Sequence, residues 1–496
     1  MSFAKPTFKQ DILTDIFGSS LGNDKSTTFT PQKTVSDMID LILPWDADHE
    51  CFRSTDQTFS EKLNNGGSYK YLSIADKSGR FPLEIYNRLM LTKELTDKFP
   101  DKAARRDYIL KNMIYVNSLN YECALIAMRM LYGNIITQGN VRCLDRKIYT
   151  YVGRGADYCK ALNFKNENGE IIMRFDYVIG NPPYQESDGS GLDGGSALYD
   201  KFIKLAEKIS DKQVFIVPMR WMVQYDVKGI DNNWVYSELH SNKFVKLRYT
   251  EDSYDIFDGV NIRGGVAYYL RDISYNGKCN VMNIQTMHSE DRFLAYKNNI
   301  DIFIKNNIEN SILEKVYSEN SFDTIIGATN EFGIESNTLT YGKGIKLYRS
   351  FGKIDECGLS DIKRGSQYIG IYKTIIGRTF GKGMKGERLP EPRVIGPNEI
   401  YTGSLISLCK SKDVNYCQNV AEYAQTKFVA LLVGLRKSTH HATRAAYKFV
   451  PMQDFTSSSD IDWSKPISDI DQQLYHKYKL TDEEIAYIEK TIKPMN

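Results

Sequence analysis

The chain has 496 residues, 42% hydrophobic and 25% charged, with a formal net charge of +2. That length exceeds one ordinary domain and that composition supports a sizeable core, so two or three globular domains are expected and wholesale disorder is excluded. No apolar run reaches the roughly 18–20 residues of a membrane helix, and the first residues lack a basic-then-apolar leader. The eight cysteines form no C-x-x-C pair. That argues against a zinc site or a disulfide framework and fits a reducing cytoplasm.

From the amino terminus, Thr30-Pro31 reads as an N-cap followed by a proline at the first helical position. Val35, Met38, Ile39 and Ile42 recur behind it at helical spacing. Residues 69–75 read as a buried strand, Asp76-Lys77-Ser78-Gly79 as a turn, and residues 82–90 as a helix. A second strand over 113–116 leads to a helix over 121–132 that stops at Gly133, and Ile135-Ile136 suggests a third strand. The apolar run 175–179 ends abruptly at Gly180-Asn181-Pro182-Pro183-Tyr184, and the run 214–217 ends at Pro218. Strands alternating with helices predict an α/β fold with a parallel sheet covered on both faces. Ligands in such sheets bind beyond the carboxyl ends of the strands, so the loops at 76–79, Ser118 and 181–184 should meet in one crevice.

After residue 240 the pattern changes. Asn276-Gly277 between the alternating runs 266–270 and 281–284 is a hairpin signal. Residues 286–320 read as a polar, helical connector. Residues 321–460 hold glycines, short β-like runs and aromatics. The expected division is 1–285, a connector over 286–320, and a mixed α+β domain over 321–496. Between 343 and 448, Lys and Arg outnumber Asp and Glu by more than two to one, as a phosphate-tracking surface requires. Within that stretch Arg436, Lys437, Ser438 and Arg444 mix basic and hydroxyl groups and are the expected phosphate contacts. The tail from Asp454 onward is acidic and is expected to face away from nucleic acid.

The chemistry is carried by Asn181-Pro182-Pro183-Tyr184 at the end of its apolar strand. The prolines lack an N–H and hold the backbone extended, leaving their carbonyls free to accept hydrogen bonds. An exocyclic amine donates two protons, and so suits two acceptors, the Asn181 side-chain oxygen and the Pro182 carbonyl. Tyr184 offers a flat face on which a base turned out of a duplex can stack. The plainer alternative is a tight turn; the strand before it and the two upstream loops argue against that.

In this context the chain resembles the γ-type DNA adenine-N6 methyltransferases, most closely the methylase portion of type IIG restriction-modification enzymes, over nearly its whole length. Phe29, Thr30 and Pro31 with their helix resemble the family's N-terminal cofactor motif. Lys77-Ser78-Gly79 with Phe81 resembles its first strand-to-helix loop, and Ile114-Tyr115 through Asn120 and Ala124 its second strand. Leu198-Tyr199, Phe202, Pro218 and Arg220-Trp221 resemble later core motifs. Ile256-Phe257 with Ile262, Gly264-Gly265-Val266 and Tyr268 resembles the region whose aromatic stacks on the flipped base. Ser321-Phe322-Asp323, Phe332-Gly333, Lys346-Leu347-Tyr348, Thr426-Lys427-Phe428 and Phe449-Val450-Pro451 with Gln453-Asp454-Phe455 resemble pieces of its target recognition domain.

The resemblance implies a Rossmann-like, S-adenosylmethionine (SAM)-dependent methyltransferase domain followed by a target recognition domain. The implied activity is site-specific N6 methylation of adenine in double-stranded DNA. It implies catalysis by Asn181, Pro182, Pro183 and Tyr184, and base stacking on Tyr184 and Phe257. The implied cofactor contacts come from Phe29, Thr30, Pro31, Asp76, Lys77, Ser78, Gly79, Ser118 and Asn140, with no metal. A cytoplasmic monomer is expected. Any restriction endonuclease is expected as a separate partner, since the chain begins almost at the cofactor motif and neither Asp355-Glu356 nor Glu387-Arg388 makes a nuclease cluster.

Three positions depart from the family pattern. Ser73 stands where the first loop normally starts with an acid, with Asp76 three residues on. Ser118 stands where an acid holds the cofactor's ribose, and Asn140 where one meets its adenine. Each lost charge-assisted hydrogen bond costs about 1–3 kcal/mol, so weak SAM binding by the free protein is expected. Two other readings share the motif. One is a protein glutamine methyltransferase, although such enzymes lack a large basic C-terminal half. The other is a non-enzymatic DNA-binding homologue with impaired SAM binding.

Overall fold

Short runs rich in Val, Ile, Tyr and Phe suit the pleated surface of a sheet, and nine strands assemble into one. They belong to a computed structural model that describes residues 29–133, 139–185, 196–225, 227–262, 264–295, 300–379, 386–437 and 442–493. The strands are β1 (Tyr71–Asp76), β2 (Ile114–Ser118), β3 (Val141–Cys143), β4 (Phe175–Gly180), β5 (Ser210–Pro218), β6 (Phe244–Thr250), β7 (Val266–Asp272), β8 (Cys279–Asn283) and β9 (Ser289–Arg292). Across the sheet their order is β9-β8-β6-β7-β5-β4-β1-β2-β3. β1 to β5 run parallel, and β7 is inserted antiparallel between β5 and β6. The chain order reverses between β1 and β4. The crevice outside their carboxyl ends is therefore the place where a doubly wound sheet takes a ligand.

Helices cover both faces. On one, α1 (Gln32–Ile39), α2 (Arg80–Leu89) and α3 (Tyr121–Tyr132) bring Val35, Met38, Ile39, Phe81, Ile85, Leu89 and Ala124 into one core with Ile114, Val116, Tyr177, Ile179, Val214 and Ile216. Each large aliphatic side chain buried there contributes about 1.5–3 kcal/mol by leaving water, which is what holds the short α1 in place. The other face takes α4 (Gly155–Leu162) and α5 (Tyr199–Ile209). There Asn117 of β2 donates from Nδ2 to the Tyr158 hydroxyl at 2.7 Å.

Two expectations for this unit are corrected. The runs flanking Asn276-Gly277 do not form a hairpin. Both edges of β7 are already taken, by β5 and β6. β8 instead pairs parallel with β6 and antiparallel with β9. Nor are residues 286–320 a helical connector. Charged Ser289–Arg292 is the edge strand β9, and helix appears only at Asn307–Val316, where the Asn306 side chain accepts from the amides of Ile308 and Glu309. The expected third strand at Ile135-Ile136 lies outside the described residues. The observed third strand, β3, begins at Val141.

The chain divides into two compact units, Met1–Phe303 and Ile304–Asn496. The second holds two three-stranded sheets. One has β10 (Ile345–Tyr348) between β11 (Ile354–Cys357) and β14 (Glu399–Tyr401). The other has β12 (Tyr372–Gly377) between β13 (Arg393–Ile395) and β15 (Leu405–Ser411). Helices α6 (Asn307–Val316), α7 (Val414–Gln425), α8 (Lys427–Arg436), α9 (Ile467–Lys477) and α10 (Asp482–Thr491) complete it. The acidic tail is built into this unit. Asp471 of α9 accepts from the amides of Lys427 and Phe428, placing a carboxylate at the positive end of α8. Among the described residues no helix is long and apolar enough to cross a membrane, and all eight cysteines are free thiols.

Candidate functional site

The base side of the crevice is the end of β4. A Cβ on residue 180 would lie 2.5 Å from the Ile74 carbonyl oxygen, so glycine is what lets the ends of β4 and β1 close up. Asn181 follows and is 7% exposed. Its Nδ2 donates to Thr30 Oγ1 at 3.1 Å. Its Oδ1 is buried and has no partner among the described residues. Pro182 is buried, and Pro183 and Tyr184 are half-buried. The Tyr184 ring meets Tyr199 edge-on with centroids 6.3 Å apart. Its hydroxyl is buried with no partner among the described residues, and that burial lifts the phenol well above its usual range.

The cofactor side is the loop after β1 and the end of β2. Ala75 has a φ of 52°, a left-handed conformation that costs a non-glycine residue about 1–3 kcal/mol. The neighbouring loop over-determines it. The Asp76 carboxylate accepts from Ser73 Oγ at 2.8 Å and from the Gly79 amide at 2.6 Å, and its carbonyl accepts from the Leu119 amide at 2.9 Å. Both carboxylate oxygens of Asp76 are thus engaged inside the loop, and burial raises its pKa. Asp76 thus shapes the loop from within. Gly79, at a φ of 71°, starts α2, and a Cβ there would lie 3.0 Å from Ala127 Cα of α3. Lys77 and Ser78 are buried beside it. Ser118 ends β2, and its Oγ is buried with no partner among the described residues.

The N-terminal arm closes over this edge. Thr30 is not an N-cap: Pro31 holds that position, and no side chain caps α1. The Thr30 hydroxyl faces Asn181 instead. Arg80 Nη1 donates to the Thr30 carbonyl at 2.9 Å, and its guanidinium lies 5.8 Å from the Phe29 ring centroid. Two turns along the same face of α2, the fully buried Arg88 reaches Ser36 and Asp40 of the α1 segment and Glu84 of its own helix. The two arginines thereby fasten α1 along α2.

Other expected site residues fall elsewhere. Asn140 precedes β3 at its amino end: its carbonyl accepts from the Val116 amide, and its Nδ2 from there donates to the carbonyls of Leu110 and Lys111. It is thus on the wrong edge for the crevice, because β3 starts later than the apolar pair at 135–136 suggested. The carboxyl end of β3 carries exposed Asp145. Burial, then the charges of Asp145 and Glu122, raises the pKa of Cys143, which places both acids near that strand end. Neither acid stands out in the sequence, nor does Tyr121, which is 66% exposed at the start of α3. The signal was an acid two residues past the last strand residue. Phe257 is 1% exposed and packs in the main core, so its placement is that of a packing aromatic.

In the second unit, Arg436 is buried, with its guanidinium 5.7 Å from the Phe449 ring centroid and a bond to the Ala445 carbonyl. Lys437 is buried in an ion pair with Glu387 at 2.8 Å. Neither is presented as a phosphate contact. Arg444 has a side chain 54% exposed and makes a loose 3.7 Å approach to Asp323. Ser438 lies outside the described residues. Among the described residues no group of His, Cys, Asp or Glu could hold a metal ion.

The family model of the Eco57I restriction-modification methylase matches residues 112–257, the span from β2 through the Asn181 turn to Phe257. An uncharacterized adenine-specific methylase of Mycoplasma pneumoniae is 28% identical over 363 residues, which cover 62% of this chain and 81% of the relative. Among solved structures, the type IIL restriction-modification enzyme MmeI in complex with DNA aligns over 94% of this chain and 79% of its own, with a TM-score of 0.46 and 9% identity. The ATP-dependent type ISP enzyme LlaBIII bound to DNA aligns over 87% of this chain with a TM-score of 0.45 and 12% identity, and this chain spans 38% of that enzyme. The matched span contains the Asn181 turn, and residues 112–257 therefore carry an Eco57I-type restriction-modification methylase domain.

Proposed function

We propose that this domain methylates the N6 amine of an adenine flipped out of double-stranded DNA, with SAM as methyl donor. The observation that carries the reading is the buried Asn181 Oδ1, which has no partner among the described residues. A buried acceptor left unmade costs about 1–3 kcal/mol, so its retention at the ligand edge points to a donor that arrives with the substrate. Adenine's amine is a weak nucleophile because its lone pair is delocalised into the ring. Accepting one amine proton at Asn181 Oδ1 and the other at the Pro182 carbonyl draws the nitrogen toward a tetrahedral shape and localises that pair. Tyr184 supplies the face that grips the extruded ring.

The cofactor fits the residues at the neighbouring strand ends. Ser118 Oγ is a buried acceptor without a partner among the described residues, suited to a ribose hydroxyl. Phe29, Thr30, Pro31 and the loop Lys77-Ser78-Gly79 enclose the same side, and Asp145 and Glu122 supply the nearby negative charge. SAM supplies an electrophilic methyl on a sulfonium when bound. The protein's part is alignment and water exclusion. The second unit, through Arg444 and its basic excess, engages the DNA backbone, so duplex binding weakens steeply with salt.

The test is transfer of labelled methyl from SAM to duplex DNA by the purified chain, followed by mapping of modified bases. N6-methyladenine at one recurring sequence is the expected result. Labelled protein glutamine, or SAM-independent DNA binding with no transfer, overturns the reading.

A further inference from the structure

Resting on that reading, we infer that Thr30 is a positioning residue for Asn181 and couples the cofactor lip to the activation of the target amine. Asn181 Nδ2 donates to Thr30 Oγ1 at 3.1 Å, across 151 residues of sequence. Both side chains are buried, Thr30 at 5% exposed and Asn181 at 7%. An asparagine amide is a plane with a donor end and an acceptor end. To offer Oδ1 to a donating amine, it must place its NH2 group on an acceptor elsewhere, and in a dry site that acceptor has to be protein. Thr30 is that acceptor. With the NH2 end held by the Thr30 hydroxyl, the oxygen end is the one left without a partner among the described residues, as the chemistry at N6 requires.

The anchoring of Thr30 supports the same conclusion. Its hydroxyl is not used to cap α1, whose N-cap is Pro31. Its backbone is fixed independently, by the bond from Arg80 Nη1 to its carbonyl. The side chain can therefore be changed while the arm stays in place. Because the arm forms the lip of the cofactor side, anything that settles the arm also settles the amide. Cofactor binding and amine activation share this one hydroxyl.

The experiment uses the full chain and single-turnover methyl transfer at saturating SAM and saturating duplex, with SAM affinity measured separately. Thr30→Val keeps the shape and removes the acceptor; Thr30→Ala removes it without a branched side chain; Thr30→Ser keeps it. The transfer rate constant is expected to fall about tenfold or more in Thr30→Val and Thr30→Ala and to return to within about twofold of the parent in Thr30→Ser. A rate constant unchanged at saturation in both acceptor-less variants overturns the proposal, whatever happens to SAM affinity, because Thr30 would then act only as a cofactor contact. So does a Thr30→Ser enzyme as slow as Thr30→Val. Parent enzyme that transfers no methyl to adenine overturns the functional reading itself, which separates that failure from failure of the Thr30 assignment.

Discussion

The two edges of the large sheet are finished in opposite ways. At the amino edge, charge is matched to charge. Asp176 at the start of β4 takes Lys62 and the Lys70 amide, and Lys212 of β5 sits between Asp56 at 2.6 Å and Asp272 at 3.4 Å. At the carboxyl edge, Ser118 Oγ and Asn181 Oδ1 are buried without partners among the described residues, and Ala75 is held left-handed. Buried polar atoms without partners also occur elsewhere in the sheet, at Tyr71, Tyr177 and Gln213; the carboxyl edge differs in having Ser118 and Asn181 at strand ends beside a left-handed backbone. Open acceptors and backbone strain gathered at strand ends are what a ligand site leaves for its ligand to complete.

The contrast breaks most decisively at Asn181. Asn181→Ala removes the open acceptor together with the Nδ2 bond to Thr30. Methyl transfer at saturating SAM is expected to fall by roughly 10²–10³, while the melting temperature falls only by the worth of one buried hydrogen bond. Turnover comparable to the parent's would show that the open acceptor is incidental. Ser118→Asp sharpens the cofactor half. A carboxylate can accept both ribose hydroxyls where serine offers one oxygen, so SAM affinity measured by calorimetry should rise about tenfold, and parent affinity should tighten when cognate duplex closes the crevice. If the free parent already binds SAM in the micromolar range or better and the aspartate adds nothing, another residue holds the ribose, with Asp145 the first to test.

The smallest expected effect is at the amino edge. Burial acts to raise the Asp56 carboxyl, but the hydrogen bonds from Lys212 and Thr58 outweigh it and hold the group at about 2, against 3.8 for a free aspartate. A depressed folded-state pKa stabilises the protein above the free value and loses that contribution as pH falls through the folded one. The melting temperature of Asp56→Asn should therefore sit below the parent's at pH 6, and the gap should narrow as pH falls from about 4 toward 2. Methyl transfer at neutral pH should be unchanged. A large loss of activity in this variant would mean that the two edges are not independent.

Much of this edge was readable in the sequence. The run 175–179 ending in Gly180-Asn181-Pro182-Pro183-Tyr184 predicts a strand delivering a rigid turn, because prolines cannot continue a central strand and the apolar run needs burial on both sides. Local rules failed where a competing long-range partner won. Asn276-Gly277 has hairpin chemistry, but the β7 edge it would have used belongs to β6. Arg436 and Lys437 look like phosphate contacts by composition, yet an aromatic face and Glu387 claim them. Asn140 follows Gly139 as the family's third-loop acid follows a glycine, yet β2 takes Val141–Cys143 as its neighbour and leaves Asn140 at the amino end of that strand. Thr30 precedes a proline as an N-cap would, but its hydroxyl is taken by a residue 151 positions away, a partner no window of sequence reveals.

The insertion of β7 between β5 and β6 also bears on how the protein is made. β5 emerges from the ribosome more than forty residues before the strand that covers its free edge, and β6 waits for the same strand. Until residue 272 has been synthesised, β5 and β6 each present a bare amide and carbonyl row, the condition under which sheets recruit neighbouring chains. Chains that stop short of β7 should accumulate as aggregates, while chains released beyond β8, which covers the other edge of β6, should be soluble.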